Sequence, residues 1–154
     1  EPRAEELAKK YALAPYTMFI GSGALWGETI LFSMCILEEM QWKRTRYITS
    51  ADFFHGTLEL VEPGVPVFLF MGEDECRKLD ERARAFLTRG VTGDTDINII
   101  DTAEFAIPGL DDDFRVIVSP WILTVLVTDR LARYYETVTK HNLKYRRYYH
   151  QFDY

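Results

Sequence analysis

The feature that most constrains the fold is a short apolar run that leads through a glycine turn into a long apolar helix pattern. The run is Tyr16–Ile20, which is rich in β-forming residues, and Gly21-Ser22-Gly23 follows it directly. From Ala24 to Gln41, apolar residues cover most of a helical surface, as expected for a helix packed inside an α/β layer. This order predicts a buried strand, a tight turn and a helix that begin a parallel sheet.

Strand and helix patterns alternate along the rest of the chain. The further predicted strands are Arg44–Thr49, Val65–Phe70 and Ile97–Ile100. The further predicted helices are Pro2–Leu13, His55–Val61, Asp74–Thr88 and Ser119–Thr139. Asp74 is predicted to cap the third of these helices, and Pro120 to stand at the first position of the last one. The alternation predicts an α/β fold with three layers, α/β/α, around a mainly parallel sheet of roughly five strands.

Composition excludes several classes of protein. The chain has 154 residues and a formal net charge of −6, which predicts one domain and argues against binding to a nucleic-acid backbone. Its two cysteines, Cys35 and Cys76, form no CxxC pair and no disulfide framework, so we expect a cytoplasmic protein. No apolar stretch approaches the roughly 18 residues of a membrane span, so no membrane partner is expected. The chain lacks an initiator Met, which predicts a piece of a longer protein.

The carboxyl ends of parallel strands are where ligands bind in such folds, which makes the glycine turn the first candidate site. Gly21-Ser22-Gly23 with Gly27 gives GxGxxxG, and Asp52 follows at roughly the distance of a ribose contact in dinucleotide-binding proteins. Against a dinucleotide, Trp26 would crowd the turn and Glu28 would oppose a pyrophosphate at the helix N-terminus. We therefore favour a turn that lets the helix pack closely, with the dinucleotide site as the alternative.

Two adjacent glutamates and a single central histidine are the candidates for acid/base chemistry. Glu38 and Glu39 end the long helix, and successive helical positions diverge by about 100°, so only one of them can face a site. His55 follows two phenylalanines. The alternatives are a solvated helix end neutralised by Lys43 and Arg44, and a structural histidine.

The C-terminal tail, residues 140–154, is aromatic and basic with no clear period. Arg146 and Arg147, with Tyr148 beside them, could clamp an anion, or the tail could pack across the domain or a partner subunit. The histidines and cysteines show neither HExxH nor any cluster, so no metal site is expected. No GxSxG element accompanies a nucleophilic serine.

Three segments carry a family resemblance, namely GSGALWGETILFSMCILEEMQW, then DFFHG from Asp52 to Gly56, then LELVEPGVPVFLF. Together they resemble the second sugar-isomerase (SIS) domain of the fructosamine 6-phosphate deglycases and, more distantly, the isomerase domain of glucosamine-6-phosphate synthase. In these relatives a Glu at the end of the helix stands 16 positions before a His-Gly element. Glu39 stands 16 positions before His55, so the resemblance selects Glu39 over Glu38.

The resemblance implies a reaction and a set of site residues. It implies cleavage of an N-fructosyl amino acid 6-phosphate to glucose 6-phosphate and free amino acid, with Glu39 moving the proton between C1 and C2 and His55 as the proton shuttle. No metal or organic cofactor is implied. The expected substrate-binding residues are Gly21, Ser22, Gly23, Trp26, Asp52, Arg146, Arg147 and Tyr148.

The resemblance also implies partners and leaves alternatives. It implies a homo-oligomer whose sites combine residues of two subunits, and a single SIS domain, residues 1–154, that is the second of two in its parent chain. The family's Ser/Thr-rich phosphate loop does not occur here, and Ala51-Asp52 and Thr57 stand where relatives have Gly-Glu and Pro. An aldose/ketose or aminosugar phosphate isomerase is the alternative enzyme, and a non-catalytic sugar-phosphate sensor is the alternative from another class.

Overall fold

Four parallel strands form the centre of the molecule in the computed structural model, which describes residues 2–90 and 92–153. They are β1 (Tyr16–Gly21), β2 (Arg44–Ile48), β3 (Val67–Met71) and β4 (Ile97–Asp101), in the order β2-β1-β3-β4. The predicted parallel α/β architecture is confirmed, with four strands among the described residues instead of roughly five. After β4, the apolar run of residues 105–110 is interrupted by Pro108 and Gly109 and forms turns, because Pro cannot donate a ladder hydrogen bond.

Helices cover both faces of the sheet. They are α1 (Pro2–Tyr11), α2 (Trp26–Ile30) with its π-helical continuation Leu31–Met40, α3 (Arg77–Leu87), α4 (Arg115–Leu123) with its π-helical continuation Thr124–Leu131, and α5 (Ala132–Thr139). Single 3₁₀ turns lie between them at Gly23–Leu25, Asp52–His55, Thr57–Leu60, Thr102–Glu104 and Asp112–Phe114. The π geometry was not predicted, because apolar residues cover most of the surface of the first of these helices and so do not distinguish a five-residue hydrogen-bond step from a four-residue one.

Alternate strand residues face two separate cores, as the two-residue period of a strand requires. Phe19, Phe68 and Phe70 lie on the face covered by α1, α2 and α5, and the rings of Phe19 and Phe68 stack with centroids 5.2 Å apart. Met18 and Leu69 point to the other face, against α3. All five side chains are fully buried.

The chain direction places each loop at one of two edges of the sheet. Tyr16 of β1 is aligned with Arg44 of β2, so both strands begin at what we call the amino edge and end at the carboxyl edge. The helix from Trp26 to Met40 returns from the carboxyl edge of β1 to the amino edge of β2. Every residue between Met40 and Arg44 therefore lies at the amino edge.

Pro120 lies inside α4, not at the first helical position as predicted. The helix begins earlier, at Arg115, because Asp111 caps the turn before it by accepting the N–H of Asp113. A proline in a helix leaves the carbonyl four residues earlier without its backbone donor. Here that carbonyl belongs to Val116, and the hydroxyl of buried Ser119 donates to it at 3.1 Å.

Two other predicted helices differ in extent. The segment predicted as a helix from His55 to Val61 consists of two 3₁₀ turns separated by Gly56, whose φ of +144° interrupts helical geometry. The third predicted helix begins at Arg77, after Asp74. Asp74 still caps the turn that leads into it, because its Oδ1 accepts the N–H of Cys76 at 2.8 Å.

Candidate functional site

The predicted site residues fall into two groups at opposite edges of the sheet. Glu39 lies one residue before the end of the helix at the amino edge, together with the arginines of the tail. His55 follows β2 at the carboxyl edge. The five residues of β2 separate these edges by roughly 16 Å, at about 3.3 Å per residue. Glu39 and His55 of one chain therefore do not meet.

At the carboxyl edge, a buried network joins the loops that follow the first three strands. The Ser50 N–H donates to Ser22 Oγ at 2.8 Å, and Ser50 Oγ donates to Oδ1 of Asp80 at 2.5 Å. The N–H of Gly72 donates to the other carboxylate oxygen of Asp80 at 3.2 Å. Burial raises the pKa of Asp80 above its usual value, while these two hydrogen bonds act in the opposite direction. Ser22 is thus engaged in holding the loops together.

The glycine turn is closed by a carboxylate. The N–H of Ala24 donates to Asp74 Oδ2 at 2.5 Å, and a Cβ on Gly23 would lie 2.2 Å from that oxygen. Gly23 also has φ +55°, a conformation that favours glycine. Gly21 is equally tight, because a Cβ there would lie 2.3 Å from Oγ1 of Thr29. The turn therefore allows close packing of helix on strand, and the Ala24 amide is already bonded.

The remaining carboxyl-edge candidates are more accessible. Trp26 is half-buried, with its ring centroid 6.1 Å from that of Tyr47. Asp52 is exposed and accepts the hydroxyl of Thr49 at 2.8 Å. His55 is exposed at the end of the same 3₁₀ turn, which Phe53 anchors in the core with no exposed surface. The burial of Phe53 presents His55 outward at this edge.

At the amino edge, a cleft of about 750 Å³ surrounds the end of the long helix. It is lined by Pro15, Glu38, Glu39, Trp42, Lys43, Arg44, Arg146, Arg147, Tyr148 and Tyr149. Oε1 of Glu39 lies 2.9 Å from Nε of Arg146, whereas Glu38 accepts the hydroxyl of Thr45 at 2.5 Å. The two neighbouring glutamates thus have different partners, and Glu39 is the one joined to the tail.

The tail crosses the end of the long helix and forms one wall of the cleft. Gln41 donates to the carbonyl of His141 at 2.6 Å and accepts the hydroxyl of Thr139 at 2.8 Å. Arg146 is fixed in turn, because its Nη1 donates to the carbonyls of Leu143 and Tyr145 at 2.7 and 2.8 Å. Residues 141–147 of the tail thus pack across the domain, as one of the expectations for the tail had it.

Trp42 and Lys43 line the cleft, although the sequence predicted no role for Trp42 and predicted that Lys43 only neutralises the charge of the glutamates. Trp42 has φ +53°, an uncommon conformation for a bulky residue. Its ring lies 4.4 Å from that of His141 and 4.3 Å below the guanidinium of Arg147. Burial lowers the pKa of Lys43. Both residues lie within four positions of Glu39 in the sequence, and this proximity could have predicted that they line the same cleft.

Neither a metal cluster nor a membrane span is found in the described part of the chain. Residues 2–90 and 92–153 contain no group of three or more His, Cys, Asp or Glu placed to hold a metal ion. No helix within those ranges is long and apolar enough to cross a membrane.

Curated relatives and solved structures are similar to almost the whole chain. Fructosamine deglycase FrlB of Bacillus subtilis is 30% identical over 148 residues, which are 94% of this chain and 43% of that protein. Fructoselysine 6-phosphate deglycase of Escherichia coli is 30% identical over 152 residues, 97% of this chain and 41% of that protein. The chain thus spans less than half the length of these relatives. No family model matches it.

The solved structures agree with this likeness. A Bacillus subtilis protein assigned as a phosphosugar isomerase superposes with a TM-score of 0.87 at 29% identity, over 99% of this chain and 45% of that one. The C-terminal domain of glucosamine-fructose-6-phosphate aminotransferase from Francisella tularensis gives 0.61 at 13% identity, over 92% and 41%, which shows a shared fold alone. The predicted resemblance is confirmed: the chain has the α/β/α fold of the sugar-isomerase (SIS) domains and is similar over almost its whole length to part of the fructosamine 6-phosphate deglycases.

Proposed function

We propose that the protein containing this domain cleaves N-fructosyl amino acid 6-phosphates to glucose 6-phosphate and a free amino acid. The observation that carries the proposal is Glu39, held by Arg146 at the mouth of a charged cleft in a domain similar to deglycases. A carboxylate at this position suits removal of a proton next to a carbonyl. The neighbouring Glu38 is bonded to Thr45 and takes no part in the reaction.

The reaction needs one base, one acid and a water molecule. His55 shuttles the proton that opens the sugar ring and exposes the C2 carbonyl. Glu39 removes a proton from C1, the electron pair forms a C1–C2 double bond, and the C2 oxygen takes up the carbonyl electron pair and a proton to give the enaminol. Return of a proton to C2 moves the double bond to C1 and the amine nitrogen, and loss of the N–H proton leaves an imine. Water adds to this imine and releases the amine, and no metal or organic cofactor takes part.

The active site combines Glu39 of one subunit with His55 of another, because the sheet holds these residues at opposite edges of one chain. Subunit mixing tests this arrangement in the full-length protein. Glu39→Gln and His55→Ala homo-oligomers should each lose activity by about 10² or more. When equal amounts of the two variants are unfolded together and refolded, random pairing makes half of the dimers mixed. Each mixed dimer has one intact site of two, so the mixture should regain about a quarter of wild-type activity. A mixture as inactive as its components contradicts the composite site.

The substrate class is tested by releasing amine from a panel of fructosyl-amino acid 6-phosphates. We expect glucose 6-phosphate and free amino acid in equal amounts. A phosphosugar isomerase is the second candidate, supported by the assignment of the structurally similar Bacillus subtilis protein. Interconversion of fructose 6-phosphate and an aldose phosphate, with no release of amine from any conjugate, would favour it. Binding of sugar phosphate without turnover would favour a sensor.

This chain is the second of two SIS domains in its parent protein, with residues 140–153 as the described part of its tail. The chain's 41–43% coverage of the deglycases supports this proposal. So does an apolar stripe on α4, where Ile117 and Trp121 are 66% and 68% exposed. Trp121→Lys should lower the unfolding midpoint of the full-length protein and leave that of the 154-residue chain unchanged. Cytoplasmic location stays a prediction.

A further inference from the structure

The amino-edge cleft is rich in cations although the whole chain has a net charge of −6. Lys43, Arg44 and Arg147 line it, and no ion pair joins any of them to a carboxylate within residues 2–90 and 92–153. Its two carboxylates, Glu38 and Glu39, already have partners. Such a concentration of cations in an acidic protein points to a bound anion.

Arg147 is the cation best arranged to recognise a planar anion. Its guanidinium carbon lies 4.3 Å from the centroid of the Trp42 ring, so one face is covered while the N–H groups remain at its rim. The Trp42 ring in turn packs against that of His141, with centroids 4.4 Å apart. A guanidinium held in this way can donate to both oxygens of a carboxylate, and its side chain loses little conformational entropy on binding.

Lys43, which follows Trp42 in the sequence, adds a second positive charge to the cleft. Partial burial lowers its pKa, so an anion beside it would restore the stabilisation that its ammonium loses from water. Arg44, at the start of β2, is exposed and adds a third positive charge at the mouth. The three cations therefore surround the helix end that carries Glu39.

The chemistry of the proposed substrate decides which anion reaches this place. The amine nitrogen is attached to C1, the carbon from which Glu39 removes its proton. In a conjugate linked through the α-amine, the carboxylate follows only three bonds from C1, each about 1.5 Å long, whereas the phosphate is attached to C6 at the far end of the sugar. The anion nearest to Glu39 is then that of the departing amino acid.

We propose that Lys43, Arg44 and Arg147 form a subsite for the carboxylate of the amino acid that the enzyme releases. This inference rests on the proposed deglycase function and names the part of the substrate that the cleft selects. The subsite binds ground state and transition state alike, so its loss raises KM more than it lowers kcat.

The test compares two conjugates of nearly equal shape, fructosylglycine 6-phosphate and fructosylglycinamide 6-phosphate, in the full-length protein. Only the first has a carboxylate. We expect kcat/KM to favour it by about 10- to 100-fold, the range for a charge-assisted hydrogen-bonded pair. Arg147→Gln should remove most of that preference by raising KM for the glycine conjugate far more than for the amide conjugate.

Lys144→Gln is the matched control, since Lys144 is an exposed cation of the same tail that does not line the cleft. It should keep the full preference. Equal turnover of both conjugates by the wild-type protein would overturn the subsite and leave the deglycase function standing. An equal fall for both conjugates in Arg147→Gln would also overturn it and assign these cations to the phosphate. Release of no amine from these two conjugates or from any other fructosyl-amino acid 6-phosphate would refute the deglycase function itself, and the subsite with it.

Discussion

Asp80→Ala should loosen the edge of the sheet that presents His55, because one buried carboxylate holds three loops there. Asp80 on α3 has no exposed surface. It accepts from Ser50 Oγ at 2.5 Å and from the Gly72 N–H at 3.2 Å, and Ser50 in turn donates its N–H to Ser22. The loops after β2 and β3 thus share a single acceptor group, and Ser50 joins the loop after β1 to them.

The magnitude follows from the two donors that the substitution leaves without an acceptor. A buried donor that loses its partner costs about 1–3 kcal/mol, and removal of a desolvated carboxylate offsets part of the sum. We expect Asp80→Ala to lower the free energy of unfolding by about 3 kcal/mol, or the melting temperature by about 6–12 °C. Asp80→Asn keeps the shape: its amide oxygen can accept from Gly72 and its amide N–H can donate to Ser50. That variant should stay within about 1 kcal/mol of wild type.

The pH dependence separates the two variants further. Burial raises the pKa of Asp80 above the ordinary value of 3.8, so the folded protein binds this proton more readily than the unfolded chain. The resulting contribution to stability is complete below 3.8 and is lost as the pH rises through the raised pKa. Asp80→Asn does not titrate. Acidification through that pH range should therefore raise the unfolding free energy of the wild type relative to that of Asp80→Asn.

Urea unfolding of the 154-residue chain and both variants at several pH values measures these differences. Equal stability of Asp80→Ala and Asp80→Asn would refute the claim that the carboxylate's two hydrogen bonds hold the loops. If the unfolding free energies of wild type and Asp80→Asn differ by the same amount at every pH, the effect of burial on the pKa of Asp80 is refuted.

Three shorter predictions concern the other elements. Glu39→Gln should lower kcat by about 10² or more, whereas Glu38→Gln should change it by less than about threefold; equal losses in a steady-state assay would contradict the separate roles of the two glutamates. Ser119→Ala should destabilise the wild-type chain by about 1 kcal/mol and the Pro120→Ala chain by less, since a backbone N–H then replaces the hydroxyl; a double-mutant cycle with no coupling would contradict this. Gly23→Ala should cost at least about 1–2 kcal/mol, from its left-handed φ and the carboxylate that its Cβ meets, and an unchanged unfolding midpoint would contradict the tight turn.

The strands and the layers could be predicted from the sequence because both depend on local periods. The run Tyr16–Ile20, its glycine turn and the helix that follows lie where the apolar pattern placed them, to within a residue or two. The start of α4 could not be read in the same way. Pro120 suggested a first helical position, but the missing backbone donor is replaced by Ser119, a side-chain hydrogen bond that no periodicity reveals.

The cleft was harder to predict because its walls are distant in sequence. Arg146 and Glu39 are 107 positions apart, and the tail that carries Arg146 has no helical or strand period. The sequence identified a basic aromatic tail and a glutamate at a helix end, yet it gave no means of bringing them together. Gln41, which ties the helix end to the tail through His141, has no conspicuous feature in the sequence.

The spacing that identifies Glu39 and His55 as a pair is also what keeps them apart in one chain. Between them the chain finishes the helix at the amino edge, crosses the sheet once as β2, and turns at the carboxyl edge. An odd number of crossings always leaves two such residues at opposite edges, whatever the side chains do. Proton transfer requires each group to lie within reach of the atom it serves, so both must reach the same bound sugar. We therefore infer that if both residues serve one reaction, a second chain must supply one of them. Dilution that separates two such chains should then abolish turnover while the domain stays folded.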